Sequence, residues 1–211
     1  MMRGLYPILD TTTLRARHMA PLDFAAEVLR ARPCALQLRA KEDSDGDVLA
    51  LLRELAPLCQ RAAVPLVCND RPDLAVLAGC DMVHVGQEDA PIEAARRIAP
   101  HVPIGVSTHD LNQLARAIEA RPAYVAYGPI FPTSSKQNPD RVVGLDGLRA
   151  ASELARRASI PLVAIGGITL ERAPEVAQWA DCAAVIAGVF AEGRTLFEQA
   201  SALHAALGAR G

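Results

Sequence analysis

Eight short apolar runs recur along the chain: Gly4–Asp10, Ala35–Ala40, Pro65–Asp70, Met82–Gln87, Pro103–His109, Tyr124–Ile130, Pro161–Gly167 and Ala183–Phe190. They are nearly continuous in apolar residues, which marks strands buried on both faces. The segments between them repeat with helical spacing. Asp47–Ala62 sets Val48, Leu51, Leu52, Leu55 and Leu58 along one side, Asp110–Arg121 does so with Leu111, Leu114, Ala117 and Ile118, and Asp146–Ser159 with Leu148, Ala151, Leu154 and Ala155. Pro72–Cys80 reads as a short helix with proline in its first turn. Pro65, Pro103 and Pro161 stand where loops enter three of the strands. Strict β–α alternation predicts a parallel sheet covered by helices, an α/β fold. Eight repeats favour closure into a single (β/α)8 TIM barrel over an open sheet, and no G-x-G-x-x-G follows the first strand. No linker or low-complexity stretch interrupts the pattern, so residues 1–211 are expected to form one catalytic domain.

Composition narrows the picture. The chain has 211 residues, 51% of them hydrophobic and 22% charged, with a formal net charge of −2. That length suffices for one barrel. With no run of Lys or Arg, a nucleic-acid or anionic-membrane surface is not supported, and no apolar stretch approaches a membrane span. The start, MMRGLYPILD, enters a strand directly and lacks a signal-peptide pattern. Cys34, Cys59, Cys68, Cys80 and Cys182 are scattered without a C-x-x-C pair, which fits free thiols in a reducing cytoplasm better than disulfides or zinc.

In such barrels chemistry gathers at the C-terminal ends of the strands. The second strand ends in QLRAK, where alternation puts Gln37, Arg39 and Lys41 on one face. Inward cations are costly unless they meet something polar, so an anionic ligand is expected there. The third strand supplies Asn69 and Asp70, and the fourth Asp89. In a βαβ unit these strands are parallel, so the two aspartates lie close although 19 positions apart. An arbitrary pair of aspartates is more often just two solvated acids. Here, beside amide oxygens, the pair suits a hard oxygen-seeking cation, Mg²⁺. The fifth strand ends in Ser107, Thr108 and His109, the last of which could equally be a loop histidine without catalytic duty. After the sixth strand a long loop to Gly144 offers Thr133, Ser134, Ser135 and Lys136 as donors. Gly166 and Gly167 after the seventh strand, and Ile186, Ala187 and Gly188 after the eighth, expose backbone N–H groups in the manner of a phosphate cradle. Two anion sites on opposite sides of one mouth imply two substrates or one long one.

Taken together, QLRAK, ND, HVGQED, GVSTH, YGPIFPTSSK and AIGG resemble the thiamine phosphate synthase family in order and spacing, over nearly the whole chain from LYPILD to VIAGVF. The resemblance implies an enzyme joining 4-amino-2-methyl-5-hydroxymethylpyrimidine diphosphate to 4-methyl-5-(2-hydroxyethyl)thiazole phosphate with Mg²⁺, releasing pyrophosphate. It implies Gln37, Arg39, Lys41, Asn69, Ser107 and Lys136 as pyrimidine diphosphate contacts, with Arg39, Lys41 and Lys136 assisting the leaving group. It implies Asp70 and Asp89 as metal ligands. Thr133, Ser135, Gly167, Ile186 and Ala187 would hold the thiazole phosphate. One departure is visible: the family often carries serine where this chain has Ala187.

Three rival readings compete with it. A thiazole tautomerase would share the thiazole phosphate cradle but lack the diphosphate apparatus. A sugar phosphate isomerase would need an acid–base group, for which Asp10 and Cys34 are the loose candidates. A non-catalytic thiazole phosphate sensor would not need paired metal carboxylates. Aliphatic residues on the outer helices leave room for a homodimer, though none is singled out.

Overall fold

The computed structural model describes residues 2–133 and 141–208. Eight parallel strands close into a barrel in sequence order, with β1 pairing β8. They are β1 Gly4–Asp10, β2 Leu36–Arg39, β3 Leu66–Asn69, β4 Met82–Val85, β5 Ile104–Thr108, β6 Tyr124–Tyr127, β7 Leu162–Ile165 and β8 Cys182–Val185. Outside lie α1 Thr11–Ala16, α2 Pro21–Leu29, α3 Asp45–Ala62, α4 Pro72–Ala78, α5 Ile92–Ile98, α6 Leu111–Glu119, α7 Gly144–Ala158, α8 Ala173–Ala177 and α9 Leu196–Gly208. The (β/α)8 expectation holds.

Side-chain alternation sorts each strand between two cores. On β1, Tyr6 and Ile8 point into the barrel, where they meet Val67, Tyr124, Val163 and Ala184. Leu5 and Leu9 point outward to the layer beneath the helices, with Leu36, Leu38, Leu66 and Leu162. Tyr6 and Tyr124 meet edge to face, ring centroids 6.0 Å apart. Gly105 makes room for this: a Cβ there would lie 2.0 Å from the Tyr124 ring. No helix among the described residues is long and apolar enough to cross a membrane. All five cysteines are free thiols; Cys59, Cys68, Cys80 and Cys182 are buried.

The strands are mostly shorter than their apolar runs. The largest difference is at β8, expected over Ala183–Phe190. It ends at Val185, and the chain tightens into a 3₁₀ turn at Ala187–Val189. Apolarity persisted because Val189 is buried against the outer core, but the backbone had left the sheet. Helix α3 starts two residues earlier than the apolar spacing indicates, because the Ser44 side chain caps it by accepting from the Asp47 N–H at 3.2 Å.

Candidate active site

A cavity of about 550 Å³ opens at the C-terminal ends of the strands. Eleven of the sequence-derived site residues line it: Gln37, Arg39, Lys41, Asn69, Asp70, Asp89, Ser107, Thr133, Gly167, Ile186 and Ala187. Ser135 and Lys136 lie outside the described residues.

The β2 end is held by two ion pairs. Gln37 is buried, whereas Arg39 and Lys41 reach up the cavity wall. The Arg39 guanidinium bonds the Asp10 carboxylate, which is itself 3% exposed. Asp10 also caps α1, its Oδ1 accepting from the Thr13 N–H at 2.8 Å and the Thr13 hydroxyl at 2.7 Å. One carboxylate thus starts a helix and aims an arginine. This ties down the first of the two candidate isomerase bases. The second, Cys34, precedes β2 at the opposite end of the barrel and does not line the cavity.

Lys41 Nζ lies 3.1 Å from Asp70 Oδ2. Asp70 follows β3 in a left-handed conformation, φ 62°, which aspartate tolerates better than most residues. Its N–H donates to the His84 carbonyl at 2.7 Å, fixing the turn to β4. The β4–α5 loop folds back so that Asp89 Oδ2 accepts from the Gly86 N–H at 2.7 Å. Gln87 Nε2 fastens the same loop to the Ser107 carbonyl at 2.6 Å. These turns bring the Asp89 carboxyl within hydrogen-bonding reach of Asp70. Burial first, and the neighbouring Asp89 second, push Asp70 up to about 6 although Lys41 pulls the other way.

The floor holds residues that the sequence reading passed over. His84 stands between two hydroxyls, Nδ1 at 2.9 Å from Tyr124 Oη and Nε2 at 2.7 Å from Ser107 Oγ. A Ser–His contact is therefore present. Its third member is a phenol where a hydrolase triad has a carboxylate, and burial lowers the imidazole to about 4. Such a ring is a poor proton acceptor at neutral pH. His109 sits at the rim with Nδ1 2.8 Å from the Gly128 carbonyl.

The β7–β8 side is built from backbone. Gly166 and Gly167 have φ of 99° and 64°, and a Cβ on either would run into the β6–α7 loop, at Pro129 and at the Pro132 carbonyl. The glycines therefore do more than bare their N–H groups: they let that loop lie on the end of β7. Ile130 N–H donates to the Ile165 carbonyl at 2.9 Å and Phe131 N–H to that of Gly166 at 3.1 Å. Ala187 and Gly188 open the 3₁₀ turn, so their N–H groups have no carbonyl within it to meet. Arg172, also missed in the sequence, lines this side. It stacks 4.6 Å from the Phe131 ring centroid and donates to the Gly167 carbonyl at 2.6 Å. A lone arginine before a helix carries no motif, so only the fold shows where it points.

A closed barrel with ionisable side chains gathered at its C-terminal mouth defines a (β/α)8-barrel enzyme. The family model described as thiamine monophosphate synthase matches residues 5–189. The chain is 46% identical over 176 residues to the thiamine-phosphate synthase of Koribacter versatilis, spanning 81% of this chain and 80% of that one. To the thiamine-phosphate synthase of Chloroflexus aurantiacus it is 39% identical over 189 residues, 89% of this chain and 85% of that one. The solved thiamine phosphate pyrophosphorylase from Pyrococcus furiosus superimposes with a TM-score of 0.84 at 32% identity, covering 97% and 95% of the two chains. The chain belongs to the thiamine monophosphate synthase family, whose members are transferases.

Proposed function

We propose that this chain joins 4-amino-2-methyl-5-hydroxymethylpyrimidine diphosphate to 4-methyl-5-(2-hydroxyethyl)thiazole phosphate, giving thiamine phosphate and pyrophosphate. The observation that carries the reading is the division of one cavity into two unlike halves. Carboxylates and cations stand at the ends of β2 to β4, and glycine-rich backbone with Arg172 stands at the ends of β7 and β8. Each half suits one anionic group, and the shared cavity brings the reacting carbon of one substrate to the ring nitrogen of the other.

The Asp70–Asp89 pair fits Mg²⁺. Two carboxylates held within bonding reach of each other, one of them shifted upward by that neighbour, form a hard oxygen donor set in need of positive charge. Asn69 and Gln87 line the cavity beside them with amide groups. When bound there, the ion supplies charge neutralisation to the diphosphate. Arg39 and Lys41 present fixed positive charge to the same group, and Lys136 does so from the β6–α7 segment. Bond cleavage to pyrophosphate then precedes attack by the thiazole nitrogen, the carbocation being stabilised by its own aminopyrimidine ring. The protein's part is positioning and electrostatics, so no nucleophilic side chain is required. Ser107 and Gln37 hold the pyrimidine on the floor. Thr133, Ser135, Gly167, Ile186 and Ala187 hold the thiazole phosphate, the last two through backbone, so serine at 187 is dispensable. Residues 1–211 act as one catalytic domain in a reducing cytoplasm, and a homodimer through the outer helices is compatible with this reading.

The test is incubation of the purified protein with both substrates, with magnesium and with chelator. Thiamine phosphate formed only with metal supports the reading. Absence of product, with thiazole phosphate binding retained, overturns it in favour of a tautomerase or a sensor.

A further inference from the structure

Beneath the cavity, five polar side chains form one unbroken hydrogen-bond chain across the barrel. Gln37 Nε2 lies 2.8 Å from Tyr6 Oη, which lies 3.0 Å from Tyr124 Oη. Tyr124 Oη continues to His84 Nδ1, and His84 Nε2 to Ser107 Oγ. It joins β1, β2, β4, β5 and β6, and no strand contributes two members.

The direction of every link is fixed once one is fixed. Each phenol has a single proton to donate. Tyr6 accepts from the Gln37 amide, so its own proton goes to Tyr124; otherwise a buried phenol would be left with a stranded donor among Ile8, Val67 and Val163. Tyr124 then donates to His84 Nδ1. A ring that accepts at Nδ1 while neutral carries its proton on Nε2, which donates to the Ser107 oxygen. The Ser107 proton is left over, and Ser107 lines the cavity. At the other end no buried side-chain oxygen or nitrogen among the described residues lacks a partner. Gln37 Oε1 accepts from none of those residues, so it opens onto the cavity it lines.

We propose that His84 is a positioning residue. As the neutral Nε2–H tautomer, fixed by the Gln37–Tyr6–Tyr124 chain, it turns the Ser107 hydroxyl proton out into the cavity, while the same chain leaves the Gln37 carbonyl oxygen facing in. The floor then offers one donor and one acceptor of set polarity. An aminopyrimidine, with ring nitrogens that accept and an amino group that donates, satisfies both. The inference rests on the proposed pyrimidine site, to which it adds the cause of that polarity.

The tautomer can be read without any substrate. In protein labelled with ¹⁵N-histidine, long-range proton–nitrogen correlations should show the His84 ring with bare Nδ1 and protonated Nε2. A ring protonated on Nδ1 overturns the proposal, because the whole chain would then run in reverse with the Gln37 amide turned over; an imidazolium overturns it as well. In Tyr124→Phe the single tautomer should give way to a mixture, and an unchanged spectrum would show that Tyr124 does not hold the ring. Binding of the pyrimidine diphosphate by calorimetry tests the consequence. His84→Leu should bind it roughly tenfold more weakly, the effect of one misdirected hydrogen bond. His84→Gln, whose amide can accept from Tyr124 and donate to Ser107, should recover most of that loss with thiazole phosphate affinity unchanged. Equal affinities in the two variants would sink the positioning role. Failure of the synthase reading itself would appear separately, as no thiamine phosphate from the unaltered protein.

Discussion

Lys41 and Asp70 face each other across the ends of adjacent strands, Nζ to Oδ2 at 3.1 Å, yet Asp70 is still shifted upward. Burial and Asp89 outweigh the lysine. Lys41 alone thus does not balance the two carboxylates.

That imbalance gives a prediction with a sign. The unfolded chain releases the Asp70 proton near the ordinary 3.8 and the folded chain only near about 6, so between those values the folded state binds more protons. The contribution of Asp70 to stability is most favourable below pH 4 and falls as pH rises to 6, by roughly 1–3 kcal/mol. Asp70→Asn should therefore raise the metal-free thermal midpoint at pH 7.5 and leave it nearly unchanged at pH 4. The same variant should lose magnesium-dependent turnover by roughly 100-fold or more. Magnesium should stabilise the unaltered protein and not the variant; equal stabilisation would remove Asp70 from the metal site.

Asp10 serves two partners, and two substitutions separate them. Asp10→Asn keeps an acceptor for the Thr13 N–H, so α1 stays capped while Arg39 loses its counter-charge. Its thermal midpoint should drop less than that of Asp10→Ala, which loses both and should cost roughly 2–4 kcal/mol. Both variants should lower turnover through a misdirected Arg39. Unaltered steady-state rates in both would mean that the pairing does not aim the guanidinium.

Gly166→Ala would place a methyl 2.4 Å from Pro129 Cβ at a φ of 99°. The loop root must move or the protein must lose stability. The expected outcome is weaker thiazole phosphate binding, with pyrimidine diphosphate binding little changed. Calorimetry with each substrate separately checks it, and equal weakening of both would point to general damage.

Lys136→Ala should lower turnover more than thiazole phosphate affinity, because the lysine is assigned to the leaving diphosphate. Single-turnover rates beside equilibrium binding distinguish the two. A loss confined to affinity would move Lys136 to the thiazole side.

What could be read in advance followed from local periodicity. Alternation in QLRAK placed Gln37, Arg39 and Lys41 on one face, and all three line the cavity. The βαβ argument brought Asp70 beside Asp89, as the structure does. What escaped depends on closure. Tyr6 and Tyr124 are 118 positions apart and bond only because the barrel brings their rings together in its interior. His84 sat inside an apolar run, and nothing within MVHV shows that its ring has a hydroxyl on either side. Asp10 ended the first run as an ordinary strand-end acid, and its partner Arg39 lay 29 positions away. The end of β8 was overrun because burial does not distinguish a strand from a 3₁₀ turn.

The β6–α7 loop leaves the barrel lying along the end of β7, bonded to it at Ile165 and Gly166, with the Gly167 carbonyl held in turn by Arg172. Thr133 and Gly167 consequently belong to one mechanical unit drawn from two connections. Changes at these two positions should not combine as independent effects. A double variant is expected to do less harm than the product of the singles, and alterations that improve one connection will have to be selected together with the other.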